Sequence, residues 1–522
     1  MAAPSYTTDL TTYKDMSTTT GISEATSMTA TDGSGEVDTD LAIYSTECIS
    51  ESQRKSGLGS LVYTGTAPSW TSGWVYLVWY KFFAPNSLQT LANGGIRIVV
   101  GSTSANYYGF YMNGSDTYPY GGWENYAVDP EQTGLADQTQ GTPTTTYNTV
   151  GFGASLITGI SKGNSHTIDI IRYGRGEAIF TDGDLGNGYA TFDGYALVND
   201  DPTTGRFGLF QDQGASYLWK GLMSLGITAT SVDMRDANVS ISIEDTIKVG
   251  SSFNRIEINN ASSRVDWDTV SFTALGTVSK GEFEVIDNAD VNFDSCSFTG
   301  MSTFKFLSNS TINTSGWREC GLITQSSATF DQCLFTDSTS SATILSDDPS
   351  KISDSSFSSD GSNHALEIPT GATGTYSFLG NTFINYAGGT GGSTGNECIY
   401  NNTGGLVTLN IGGGGDTPSY RNGTGATTII NNNVSITYTG MPDLTEIRIY
   451  AAGTTTELAG IENATAGTAG DRTFTYSLSA GTDVDVRIFN KMYIVFELYG
   501  FTIPSSDSTI PVQLVFDRNY IA

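Results

Sequence analysis

The chain has 522 residues, which at about 150 residues per domain allows three or four domains with substantial cores. Its 54 acidic against 24 basic residues leave a formal charge of −30, a field that repels nucleic-acid phosphates and anionic lipid headgroups and argues against binding either by counterion release. Charged residues are only 15% of the chain, so hydroxyls, amides and glycine must build most of the surface. With 61 Gly, 27 Tyr and 25 Phe, strands and turns are favoured over helices, and an all-β protein is expected.

The N-terminal MAAPSYTTDL has neither the basic nor the apolar segment of an export signal, and no run of about 18 apolar residues follows, so no membrane segment is expected. Cys48, Cys296, Cys320, Cys333 and Cys398 are odd in number and form no CxxC pair. That pattern speaks against a disulfide framework or zinc site and for synthesis in a reducing compartment.

Within a first domain of residues 1–226, the chain from about residue 40 reads as short alternating segments rich in aromatics, among them Trp74–Tyr80, Ile96–Val100, Tyr107–Tyr111 and Thr167–Tyr173, divided by Gly, Asn, Asp and Pro. Strands so spaced predict one antiparallel sandwich of jelly-roll, concanavalin-like form. The Gln-, Thr- and Gly-rich stretch 129–149 is too poor in hydrophobes for a core and reads as a rim loop.

Two phrases alternate over residues 227–431. A short apolar strand begins near Ile256, Phe283, Phe304, Leu322, Ile344, Leu366 and Ile399, about 24 residues apart on average. Between them lies a second phrase, seen as Val265–Thr273, Val291–Thr299, Ala328–Thr336 and, degraded, Ile352–Phe357. Stacked coils of this length predict a right-handed parallel β-helix with the apolar positions in one interior ladder and equivalent residues about 4.8 Å apart. Asn and Asp after the strands, as in Ile258-Asn259-Asn260, suit the turns. Residues 432–522 carry at least five alternating segments and predict a small immunoglobulin-like sandwich.

Several phrases together carry a resemblance: Asn93-Gly94-Gly95-Ile96-Arg97-Ile98, Gly114–Pro119, Gly121-Gly122-Trp123, Ile171–Gly176, Asp416–Asn422, Ile503–Val512 and Asp517–Tyr520. In these the chain resembles a virion surface protein of tailed bacteriophages, a spike, fibre or decoration family. The resemblance implies a lectin-like sandwich, a β-helix and a C-terminal sandwich on the virion exterior, assembled in the host cytoplasm. It also implies a homotrimer held to capsid or tail proteins, and it transfers no catalytic motif.

Chemistry-bearing residues are few. His166 and His364 are the only histidines, and without a Ser or Cys partner each reads as a surface or turn residue, which disfavours a Ser-His-Asp hydrolase. Two Gly-x-Ser-x-Gly matches, Gly159–Gly163 and Gly391–Gly395, are what so much Gly and Ser yields by chance. Asp268, Asp294 and Asp331 recur at one coil position, where paired carboxylates could serve glycoside hydrolysis or, more plainly, the turn. Cys296 and Cys333 stand where Val270 stands and read as small core residues.

Asp182, Asp184 and Asn187 in a Gly-rich loop offer the oxygen donors calcium takes, although the EF-hand spacing breaks at Gly186 and Asn187. No other cofactor is expected. Tyr107, Tyr108, Tyr111, Tyr118, Tyr120 and Trp123, with Asp116, form an aromatic cluster suited to stacking on sugars, core packing being the competing use. The sequence thus points to a non-enzymatic adhesive protein with host-surface polysaccharide as partner. A tailspike glycan depolymerase using the β-helix carboxylates is the rival reading, and a secreted bacterial adhesin a weaker third, opposed by the N-terminus.

Overall fold

A computed structural model describes residues 6–8, 10–25, 36–38, 47–51, 57–82, 96–112, 123–156, 166–174, 178–180, 188–199, 209–226, 231–244, 254–274, 280–361, 363–393, 395–412, 415–461, 472–504 and 506–518. The protein is all-β, with one α-helix among the described residues, Phe192–Asn199. No helix among them is long and apolar enough to cross a membrane. The chain divides into two compact units, residues 1–292 with 296–305, and residues 293–295 with 306–522.

In the first unit two six-stranded antiparallel sheets share a core. One runs Trp123–Val128, Val75–Phe82, His166–Gly174, Cys48–Glu51, Glu36–Asp38, with Thr11–Lys14 also on His166–Gly174. The other runs Gln138–Gln140, Asn106–Met112, Ile96–Thr103, Thr149–Leu156, Gly57–Thr64, Ile22–Glu24. Strand alternation sends Val78, Tyr80, Ile168 and Ile171 from the first sheet and Ile96, Ile98, Val100, Phe110, Val150 and Phe152 from the second into one apolar cluster. The opposite face of the first sheet buries Val75, Leu77 and Trp79 with Ala127, Ile170 and Leu209, so its strands read as continuous hydrophobic runs.

The same unit continues into parallel pairing. Leu222–Ser224, Arg255–Ile258, Glu282–Val285 and Thr303–Lys305 pair in succession, and so do Tyr217–Trp219, Ser240–Ile243, Ser271–Ala274 and Ser297–Thr299. Asp233–Ala237 pairs with Arg264–Asp268. Successive strands thus visit three parallel sheets in fixed rotation, consistent with the expected β-helix coils. Met223, Ile256, Phe283 and Phe304 stand in register and are buried.

The second unit repeats the rotation. Ile323–Thr324, Ala342–Leu345, His364–Ile368, Ile399–Asn401 and Tyr420–Asn422 pair in parallel, and their ladder is Ile323, Ile344, Leu366, Ile399. The residue expected there was Leu322; Ile323 holds the interior position, fully buried, while Leu322 precedes the strand and is half-buried. A side-chain period of two makes such a one-residue offset decisive. A second ladder is aromatic: Trp317, Phe335, Phe357 and Phe383 stack at centroid distances of 5.1, 4.7 and 5.5 Å.

Beyond the coils, Glu457–Ile461, Glu446–Ala451, Asp483–Phe489 and Phe496–Thr502 form an antiparallel sheet. It shares a core of Val434, Ile436, Tyr438, Ile447, Ile449, Val484, Val486 and Ile488 with the 15-residue strand Thr427–Met441. Residues 427–432 of that strand pair in parallel with Leu406–Ile411, and residues 433–441 pair antiparallel with Arg472–Ser479.

Candidate functional site

Side chains capable of specific recognition gather on the second sheet of the sandwich, on the face turned away from the shared core. Ile96, Ile98 and Val100 point into that core, so Arg97, Val99 and Gly101 point the other way. Register sets Arg97 opposite Tyr111, Val99 opposite Gly109 and Gly101 opposite Tyr107, and Gln138 on the edge strand pairs with Gly109. Arg97 therefore lies between two tyrosines, its guanidinium carbon 5.6 Å from the Tyr107 ring centre and 5.5 Å from that of Tyr111. Gly109, between them in the chain, adds no side chain.

Gln138 ties the group together. Its Oε1 accepts from Arg97 Nη1 at 2.9 Å and from the Tyr111 hydroxyl at 2.9 Å. Tyr111 also donates its backbone N–H to Asp137 Oδ2 at 2.6 Å. Burial pushes the Tyr111 phenol above its usual range, opposed by the adjacent guanidinium, so the hydroxyl stays a neutral donor. Arg97 is 0% exposed, and its Nε and Nη2 have no hydrogen-bond partner among the described residues. Tyr111 and Gln138 are partly exposed and Asp137 is exposed, which gives the cluster an open rim.

The expected aromatic cluster separates by strand geometry. Tyr107 and Tyr108 are neighbours on one strand and point to opposite faces: Tyr108 packs against the shared core, whereas Tyr107 is 0% exposed beside Arg97. Tyr111 shares the Tyr107 face. Asp116, Tyr118 and Tyr120 lie outside the described residues, as do the expected calcium ligands Asp182, Asp184 and Asn187. Trp123 opens the strand Trp123–Val128. Arg97 and Gln138 were not singled out from the sequence. The usable signal for Arg97 is a charge inside the apolar run Ile96–Val100.

The coil aspartates occupy the positions expected of them, each at the end of a strand: Arg264–Asp268, Asp290–Asp294 and Thr329–Asp331. Their oxygens serve the turns. Asp268 accepts from the Thr269 hydroxyl at 2.8 Å, Asp294 from Thr314 at 2.6 Å and Asp331 from Ser353 at 2.6 Å, while Thr269, Ser295, Thr314 and Gln332 hold positive φ. Asn313 is the register partner of Asp331, and Ser295 N donates to Asn313 O, so a rung without a carboxylate separates Asp294 from Asp331. Two rungs amount to about 9.6 Å of backbone spacing. Retaining glycosidases hold their carboxyls about 5–5.5 Å apart and inverting ones about 6.5–9.5 Å.

His364 departs from expectation. Rather than lying on the surface, it opens the strand His364–Ile368 and is buried, its Nδ1 3.0 Å from the Glu397 carbonyl oxygen and its Nε2 2.8 Å from Arg421 Nη2. Arg421 can only donate, so Nε2 accepts and Nδ1–H donates, which defines a neutral tautomer. Burial first, with Arg421 adding to it, holds the imidazole below its usual range. The Arg421 guanidinium also stacks 3.9 Å from the Tyr400 ring centre. Among the described residues, no Ser or Cys side chain is hydrogen-bonded to this imidazole. Cys296, Cys320 and Cys333 are buried and free, with thiols directed at backbone carbonyls of Trp267, Arg318 and Asp331. Among the described residues no group of three metal-ligating side chains converges.

No protein-family model matches the chain. No curated protein matches it either. Among solved structures it is similar to the CBM22-1 xylan-binding domain of Xyn10C from Paenibacillus barcinonensis, at 9% identity over 33% of this chain and 96% of that one. The TM-score is 0.19, a likeness too slight to bear on fold or function.

Proposed function

We propose that the protein is a non-enzymatic adhesive protein that binds glycans at the sandwich rim formed by Tyr111, Gln138 and Asp137, beside the buried Arg97 and Tyr107. The observation that carries this reading is the cluster itself. A partly exposed tyrosine ring offers an apolar face to a pyranose, while Gln138, the Tyr111 hydroxyl and Asp137 supply the few convergent polar groups that fix orientation in a sugar site. In keeping with the phage resemblance of its sequence phrases, the protein sits on the virion exterior as spike, fibre or decoration. There its partners are capsid or tail proteins, host-surface polysaccharide and two further copies of itself. Exposed Ile494, Tyr499, Val515 and Phe516 give the second unit apolar surface for such contacts.

The rival reading, a glycan depolymerase working through the coil carboxylates, draws less support. Asp294 and Asp331 are each engaged by a hydroxyl and are separated by the Asn313 rung. A glycosidase needs two carboxyl groups converging on one bond, and these are strand-end positions, exposed at Asp294 and half-buried at Asp331, whose oxygens serve turn hydroxyls.

Incubating the purified chain with host capsule or lipopolysaccharide, and following adsorption, reducing ends and unsaturated uronates, tests the proposal. Adsorption without product is expected. Absence of adsorption refutes it, and turnover abolished by Asp294→Asn or Asp331→Asn replaces it with the depolymerase.

A further inference from the structure

We infer that the outer face of the C-terminal sheet carries a second glycan site, built on Tyr450, Arg487 and Tyr499, which takes an uncharged, extended polysaccharide chain. The site lies in the second unit, shares no residue with the rim of Tyr111, Gln138 and Asp137, and goes beyond that reading. Ile447, Ile449, Val484, Val486 and Ile488 point into the core of this sandwich, so Arg448, Tyr450, Asp485 and Arg487 point the other way. The Arg487 guanidinium carbon lies 5.4 Å from the Tyr450 ring centre and 5.8 Å from that of Tyr499. Unlike the buried Arg97, this group is open: Tyr499 is 57% exposed and the Arg487 side chain 38%.

Two departures from ordinary sheet chemistry single out this face. Tyr499 and Gly500 together oppose Asp485, an extra residue that forms a β-bulge, fixed by the Gly500 N–H donated to Asp485 Oδ1 at 2.9 Å. Bulges re-aim side chains, and here Leu498 and Phe501 both stay on the core while Tyr499 between them turns outward. Arg448 and Arg487 stand directly opposite each other, a like-charge pair that costs stability, although the chain has only 24 basic residues. Arg448 is neutralised by Glu446 and Glu457, each at 2.8 Å. Arg487 has Glu497 3.4 Å from its buried Nε, which leaves the Nη groups at the exposed end of the side chain.

These groups narrow the ligand. Tyr450 and Tyr499 come from the strands on either side of Asp483–Phe489, about 9.6 Å apart, so two rings flank one cation on an open surface. The rings offer platforms to the apolar faces of pyranoses, and the guanidinium and the Glu497 carboxylate meet hydroxyls as donor and acceptor. Four carboxylates, Glu446, Glu457, Asp485 and Glu497, surround two guanidiniums, so the local field opposes an anionic ligand and favours a neutral one. An open sheet face suits an extended β-linked chain, whose sugars present flat faces, better than an α-linked chain that coils.

Titration calorimetry of the full-length chain with cellohexaose, maltohexaose and tetragalacturonic acid tests this. Cellohexaose should bind most tightly. Tyr499→Ala should weaken it about tenfold, the loss that follows truncation of an aromatic anchor, and Tyr499→Phe should restore it, because the ring rather than the hydroxyl does the stacking. Unchanged binding in Tyr499→Ala overturns the inference; if Tyr111→Ala removes the binding instead, the sugar sits at the rim and that reading stands. A Tyr499→Ala variant that changes the oligomeric state but not the sugar affinity makes the face a contact between copies and likewise overturns it. Equal binding of tetragalacturonic acid overturns the neutral assignment, and equal binding of maltohexaose the extended one. No binding of any of the three overturns the second site, while adsorption to capsule, measured separately, judges the rim. Should Tyr499→Ala not fold, oxidative footprinting of the wild type decides: cellohexaose must protect Tyr499.

Discussion

Replacing Phe335 by alanine should be among the most damaging single changes in the second unit. Phe335 is 1% exposed and stacks between Trp317 at 5.1 Å and Phe357 at 4.7 Å, with interplanar angles of 17° on both sides, and Phe330 touches it at 5.9 Å. Truncating a buried phenylalanine costs about 3–5 kcal/mol, and each lost ring pair accounts for about 0.5–1.5 kcal/mol of pairing energy. With two parallel stacks interrupted and rungs fixed above and below by backbone pairing, little collapse can fill the void, so the upper end, about 4–5 kcal/mol, is expected. Leu334, the preceding residue, points outward at 51% exposure, and Leu334→Ala should cost about 0.5 kcal/mol or less. Urea unfolding followed through the fluorescence of the chain, Trp317 included, reads both losses from the midpoints at constant slope. A cost below about 1.5 kcal/mol for Phe335→Ala, or equal costs for the two variants, would refute the stacked interior.

The ladder offset gives a sharper comparison: Ile323→Ala should cost about 2–5 kcal/mol and Leu322→Ala about 1 kcal/mol, and the reverse order in urea unfolding would contradict the register. Burial pushes the Cys333 thiol up to about 12, so disulfide-exchange reagents at pH 8 should label it only after unfolding, and rapid labelling mapped to Cys333 would remove it from the core. His364 binds a proton less readily folded than unfolded, so its contribution is complete above the unfolded value of about 6.5 and is lost as pH falls below that toward the lowered folded value. Thermal melts across pH 4–8 should therefore show a shallower acid-side loss for His364→Gln than for the wild type, and parallel curves would disprove the linkage.

Repetition made the coils legible, and degeneracy hid some of them. The rung Ser310–Asn313 with Gly316–Arg318 escaped the repeated phrase because Asn313 stands in place of Asp and Trp317 in place of Phe, although both fill the same backbone positions. Leu322 and Ile323 are equally apolar, so composition could not choose between them; only pairing with Ile344 does. The tyrosine cluster was visible as composition, but strand alternation divides it, and neither Arg97 nor Gln138 has a local motif, since they meet through pairing of strands about 40 residues apart in sequence. His364 looked like a turn residue because its partners, Glu397 and Arg421, come from later coils.

The strand Thr427–Met441 has a mechanical consequence. Its first half is zipped to a parallel neighbour, its second half to Arg472–Ser479 on one side and Ser508–Pro511 on the other. Tension applied along it runs across the interstrand bonds, at right angles to those of the antiparallel pair and at a slant to those of the parallel ones, so these resist in shear rather than unzip one by one. A pull on the C-terminal sandwich at residues 433–438 is then transmitted along the same strand into residues 427–432 and the parallel neighbour they pair with.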